Sequence, residues 1–201
     1  MTSTKDAWTG SLFVAGSACF LVGPFPGFAE LVGAHADAAV FFVGSLLFTS
    51  AATLQWLPVR APGGTDWWSS TWQLAGTLFF NVTTFRALDT AVGAAGYNQV
   101  VWRPDAFGSV CFLVSGALAY VGVGGSWLRR PPRTTDGRMA AVNLAGCLAF
   151  GVSAAAAYVV PSTAEEVDAR LANAMTALGA LAFLVGALLL IRESRRVPAT
   201  R

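Results

Sequence analysis

The chain has 201 residues, 55% of them apolar and 12% charged, with a formal net charge of +2. An ordinary soluble domain carries about 25% charged residues, so this composition excludes one. A charge so small and scattered also excludes nucleic acid as a partner.

A membrane span takes about 20 mainly apolar residues. Segments near 9–29, 37–57, 70–92, 104–126, 139–160 and 172–191 meet that length. The breaks carry turn chemistry at Pro58 to Gly64, Arg130 to Asp136 and Pro161 to Glu165. The expectation is a single all-α domain over residues 1–201, an integral membrane bundle of six transmembrane helices with short loops, held in a lipid bilayer.

The first span follows Lys5 and contains an apolar run from Leu12 to Val22. With Ala34-x-Ala36 it has the parts of a signal peptide, but the small-x-small site falls about a dozen residues late. Pro24-Phe-Pro-Gly27 ends this span, and Gly122, Gly124 and Gly125 end the fourth. Breaks at matching places in two halves also point to transport sites. The third span is the least comfortable in lipid, with Gln73, Asn81, Thr83, Thr84, Arg86 and Asp89. An intramembrane arginine costs at least about 2.5 kcal/mol unless it pairs or snorkels. Arg86 and Asp89 are three apart and are expected to pair. Arg103 and Asp105 open span four on the same side, and Glu30, His35 and Asp37 lie in the loop between spans one and two.

One pattern recurs in all six spans: Gly, a small residue, two variable residues, then Phe. It pairs Gly16 with Phe20, Gly44 with Phe48, Gly76 with Phe80, Gly108 with Phe112, Gly146 with Phe150 and Gly179 with Phe183. A small residue follows three places later. Positions i, i+4 and i+7 share a helical face, and small residues let helices approach closely in lipid. These twelve residues are expected to be helix-packing residues. Span one reads Gly16-Ser-Ala-Cys-Phe-Leu-Val22 and span four Gly108-Ser-Val-Cys-Phe-Leu-Val114. That match raises an inverted 3+3 repeat, as in many transporters. A packing motif repeated helix by helix explains it equally.

Lys5, Arg60, Arg129, Arg130, Arg133, Arg138, Arg192, Arg195, Arg196 and Arg201 fall on one side. The positive-inside rule then puts both termini in the cytoplasm. Trp8, Trp56, Trp67, Trp68, Trp72 and Trp127 fall at the same ends, and Tyr97, Trp102 and Tyr158 at the opposite ones. Such rings prefer the headgroup level. Arginine far outnumbers lysine, and Ala, Gly and Val are abundant, as in a GC-rich bacterial genome; the inner membrane is the expected location.

Cys19, Cys111 and Cys147 are odd in number and lack Cys-x-x-Cys spacing, which argues against a disulfide framework or a zinc site. They read as small apolar residues. His35, the single histidine, rules out haem held by two histidines of one chain. It sits in an outer loop, away from the spans' serines, so it gives no nucleophile–base pair. No metal site, cofactor or enzymatic activity is expected. Arg86, Asp89, Asn81, Arg103 and Asp105 form the candidate polar site, which reads either as a salt-bridge network or as a shallow solute site.

Gly10-Ser-Leu-Phe-Val-Ala-Gly-Ser17 and Phe41-Phe-Val-Gly-Ser-Leu-Leu-Phe48 resemble the YrhK-like family of small bacterial membrane proteins. That family uses a membrane hairpin with Gly-Ser and Phe in each helix. The resemblance covers roughly the first fifty residues and implies a membrane location, with no catalytic residues to carry over. Two functions follow. The first is a non-catalytic packing or scaffold component of the membrane, partnered by a second copy or another membrane protein. The second is a small transporter or channel for a polar or ionic solute, with a site near Arg86 and Asp89.

Overall fold

The structure is a computed structural model that describes residues 2–59, 62–127 and 129–196. Arg60 and Arg201 lie outside the described residues. Among the described residues seven α-helices form: α1 (Thr2–Val22), α2 (Phe28–Val32), α3 (Ala34–Trp56), α4 (Thr65–Ala87), α5 (Arg103–Gly124), α6 (Thr135–Ala156) and α7 (Ala169–Ser194). A π-helical turn, Asn98–Trp102, leads into α5. Strands β1 (Val159–Val160) and β2 (Glu165–Glu166) make a short antiparallel hairpin between α6 and α7.

Helix ends follow local chemistry. α1 stops at Val22, before Pro24 and Pro26, whose rings leave no N–H to continue the ladder. The chain then turns through Gly27 and Gly33, both at positive φ, where a Cβ would be strained. The Thr134 hydroxyl caps α6 by accepting from the Gly137 N–H, and the Asp168 carboxylate caps α7 by accepting from the Leu171 N–H.

The six long helices stand in a closed ring. Each packs against its neighbours in sequence, and α7 packs against α1. Directions alternate. Gly10, early in α1, faces Ile191, late in α7. Trp56, ending α3, donates to Thr71 of α4 at 3.0 Å. Thr135, opening α6, donates to Glu193 of α7 at 3.1 Å. One end of the ring, the basic end, thus carries the start of α1 with Lys5, the arginines of the α5–α6 loop, and Arg192, Arg195 and Arg196 at and beyond the end of α7.

Two expected spans are displaced. The first was placed at 9–29, but α1 covers Thr2–Val22, because the Pro-Phe-Pro break takes effect at once. The third was placed at 70–92, but α4 covers Thr65–Ala87. Among the described residues four helical segments are long and apolar enough to cross a membrane: α3, α5 with its π turn, α6 and α7. The polar content of α4 and of the start of α1 keeps those two helices below that mark.

The repeated motif sets what faces in and what faces out. Its second residue is buried in every copy: Ser17, Ser45, Thr77, Ser109, Cys147 and Ala180. The residue after it points outward every time: Ala18, Leu46, Leu78, Val110, Leu148 and Leu181. All six motif phenylalanines are buried and meet on the ring axis. Phe150 lies 6.2, 6.0, 6.3 and 5.4 Å from the ring centres of Phe20, Phe80, Phe112 and Phe183. Edge-to-face contact at such separations contributes beyond buried area. The result is an aromatic plug at mid-height.

Glycine and phenylalanine pair reciprocally within consecutive helices. A Cβ on Gly16 would fall 2.8 Å from Phe48, and one on Gly44 would fall 3.0 Å from Phe20. The same exchange joins Gly76 to Phe112 (2.5 Å) and Gly108 to Phe80 (3.3 Å). It joins Gly146 to Phe183 (3.1 Å) and Gly179 to Phe150 (2.8 Å). The helices therefore group as three hairpins, α1 with α3, α4 with α5, and α6 with α7. Each glycine is the slot for its partner's ring.

Candidate functional site

The expected polar site is not assembled at the far end, opposite the basic one. α4 ends at Ala87, and Asp89 lies in the turn after it, its N–H donating to the Arg86 carbonyl at 3.3 Å; both side chains are exposed, and among the described residues no ion pair joins them. Among the described residues the ion pair formed is Arg196 with Glu193, at 3.9 Å. Asn81 instead accepts from the Thr49 hydroxyl at 3.1 Å, joining α3 to α4. Arg103 is exposed at the start of α5. Asp105 lies near Glu166 and Tyr97, and both carboxylates add to the burial that pushes the Tyr97 phenol upward. Burial also raises Glu166. His35 sits 3.2 Å from the Leu88 carbonyl and ties α3 to the end of α4.

Other contacts close this end. The Asn98 side chain donates to the Val159 carbonyl at 2.7 Å and accepts from the Val159 N–H at 3.2 Å. The Trp102 indole donates to the Ala154 carbonyl at 2.8 Å and packs on Tyr158, ring centres 4.9 Å apart. The Thr83 hydroxyl donates to the Val101 carbonyl inside the π turn.

The open space lies at the other end. A cavity of about 390 Å³ occupies the ring axis between the plug and the basic end. Phe13, Phe48 and Phe183 floor it. Its polar lining includes Gln55, Asp66, Ser69, Gln73, Asp136 and Asn143. Gln55, Asp66 and Asp136 are exposed, which marks the mouth. Ser69 donates to the Ser115 carbonyl at 3.0 Å, and Gln73 Oε1 accepts from the Ser115 hydroxyl at 3.4 Å. The side chains of Gln55 and Asn143 and the Gln73 amide nitrogen have no hydrogen-bond partner among the described residues. These groups reach the open space, where water or a solute can satisfy them.

The hairpin grouping brings this lining into register. Three places before the motif glycine, the first helices carry Phe13, Gln73 and Asn143, and all three line the cavity. Eleven places after it, the second helices carry Gln55, Ala119 and Leu190, which also all line it. Ten places before the glycine stand Asp6, Asp66 and Asp136. At 1.5 Å per residue that is about 15 Å along the helix. Asp66 and Asp136 lie in the first turns of α4 and α6, where a carboxylate favours the helix dipole. Asp6 lies past the first turn of α1. What the three share is height above the plug, not distance from a helix start. Reading the sequence span by span passes over these aspartates; aligning it hairpin by hairpin, on the glycines, finds them.

Comparison of the chain with protein-family models, curated proteins and solved structures gives no match in any of the three.

Proposed function

We propose that the chain is a six-span integral membrane protein that admits a small polar solute to the axis of its helix ring from the basic end. The plug of motif phenylalanines is the gate. The observation that carries this reading is the cavity: about 390 Å³ inside the ring, with amide groups unpartnered, above a floor of aromatic rings. Sites of about 300–1,000 Å³ suit small molecules. A scaffold would turn its small-residue faces outward to meet a partner. Here those faces are spent inside the ring, and the outer surface carries leucine, valine and phenylalanine, as lipid contact requires. The solute site moves from Arg86 and Asp89 to the cavity walls.

The same reading takes all six long helices as spans, because α1 and α4 stand in the ring with the four apolar ones. Lys5, Arg129, Arg130, Arg133, Arg138, Arg192, Arg195 and Arg196 gather at the basic end, and Arg86, Arg103 and Arg170 at the far end. That asymmetry supports cytoplasmic termini in a bacterial inner membrane. Ring order supports three copies of a hairpin over an inverted 3+3 repeat. Turning the ring by two helices lays hairpin on hairpin with directions kept. A shift by three reverses every helix while preserving their order round the ring, and no rotation of a chiral chain does that. The hairpin is also the unit of the YrhK-like resemblance.

The test is access. In membranes labelled from the basic side with a charged, impermeant thiol reagent, the Asn143→Cys thiol is expected to react. Native Cys147, one turn deeper and buried, is expected to react only after unfolding. An inert Asn143→Cys thiol in the folded protein overturns the reading.

A further inference from the structure

We propose that the cavity takes a small organic cation, an alkylammonium drawn in past Asp66 and Asp136 at the mouth and seated against the amides and the aromatic floor. This rests on the cavity being open to solute, as proposed above.

The charge of the lining sets the sign. Among the described residues, the two ionisable side chains that line the cavity are aspartates, and no Lys, Arg or His joins them. Asp6, at the same register on α1, adds a third carboxylate at that end and is half-buried. The arginines of the basic end stand outside the lining. An anion drawn there by the arginines would meet carboxylates on entering. A cation loses less: among the described residues, the charges that line the mouth are opposite to its own.

The middle and floor set the class. Among the described residues no three His, Cys, Asp or Glu side chains converge as a metal ion would need. Gln73 and Asn143 can accept from an ammonium N–H, and the rings of Phe48 and Phe183 attract a cation placed over their faces. Ala119, Val123, Leu190 and Met139 supply apolar wall for alkyl groups. A bare inorganic ion has no use for such a floor, and a purely apolar solute would leave the amides unpaired.

Protection of the Asn143→Cys thiol from N-ethylmaleimide, a neutral reagent, tests this in the full chain in lipid nanodiscs. The probes are tetramethylammonium, its neutral near-isostere tert-butanol and the anion pivalate. Tetramethylammonium is expected to slow labelling at least fivefold at saturation, and the other two to leave it unchanged. With Asp66→Asn and Asp136→Asn added, protection is expected to disappear; with Asp66→Glu and Asp136→Glu it is expected to persist. Equal protection by tert-butanol or pivalate, or full protection in the double Asn variant, overturns the cation assignment while leaving the cavity reading intact. A thiol that never labels, though it labels when unfolded, overturns both.

Discussion

The two ends of the ring share one plug and treat their polar residues in opposite ways. At the far end, Asn98, Trp102 and Thr83 use their hydrogen bonds on the protein itself: on Val159, Ala154 and Val101. At the basic end, Gln55, Asn143 and the Gln73 amide nitrogen have no partner among the described residues and face a cavity. The repeated motif dictates only the middle of the bundle, where each phenylalanine enters a partner's glycine slot. Above and below that level the three hairpins are free to diverge. They diverge toward mutual satisfaction at one end and toward openness at the other.

Breaking the plug should erase this contrast and have the largest effect. Phe150→Ala removes the ring that touches four others, and large-to-small changes of this kind cost about 3–5 kcal/mol. If the variant folds, solute flux through proteoliposomes should rise; unchanged stability by denaturant titration would show that the plug is not the core. Two glycines of α7 sharpen the comparison. A Cβ on Gly179 would lie 2.8 Å from Phe150, whereas one on Gly186, which lines the cavity, meets nothing within 4 Å. Gly179→Ala should lose about 1–3 kcal/mol by overpacking. Gly186→Ala should gain up to about 1 kcal/mol from helix propensity. Equal melting temperatures for the pair would contradict the slot argument.

Opening the far end is a middle-sized test. Asn98→Ala leaves both backbone groups of Val159 without their partner, at about 1–3 kcal/mol. Hydrogen exchange should speed up at Val159 and in the β1–β2 hairpin while the cavity walls stay unaffected. The smallest effect concerns Glu166. Burial raises its folded pKa, so the folded state favours the neutral acid. Stability is therefore unpenalised below the ordinary carboxylate value and falls as pH rises through the folded one. Glu166→Gln should melt slightly higher than the parent at pH 7 and at the same temperature at pH 4. A gap of the same size at both would remove the titration.

Much of the middle of the molecule was legible in the sequence. Glycine and phenylalanine at i and i+4 mark one helical face whatever the partner, so local spacing alone identified the residues that meet on the axis. What spacing cannot give is which helix supplies the partner. The match between spans one and four pointed to halves, because Ser17, Cys19, Ser109 and Cys111 coincide. The reciprocal slots join consecutive helices instead. The spacing of Arg86 and Asp89 allows a pair but does not require one: both side chains stand exposed at the end of α4, where water competes for them. The cavity was hidden because the layer next to the plug differs between hairpins, Phe13 against Gln73 and Asn143, and the shared aspartates at the mouth align only when the chain is taken hairpin by hairpin.

The contact of α1 with α7 is the one place where the ring closes without a connecting loop. Gly10 against Ile191 and Ala187 acts as a clasp on a belt threaded from one end. Every other interface joins helices that follow each other off the ribosome and can form as they emerge. The clasp must wait for the last helix, and Phe183 arrives with it. Until then Phe48, Phe112 and Phe150 face a gap. Without α7 the remaining five long helices would leave the ring open and the plug unfinished.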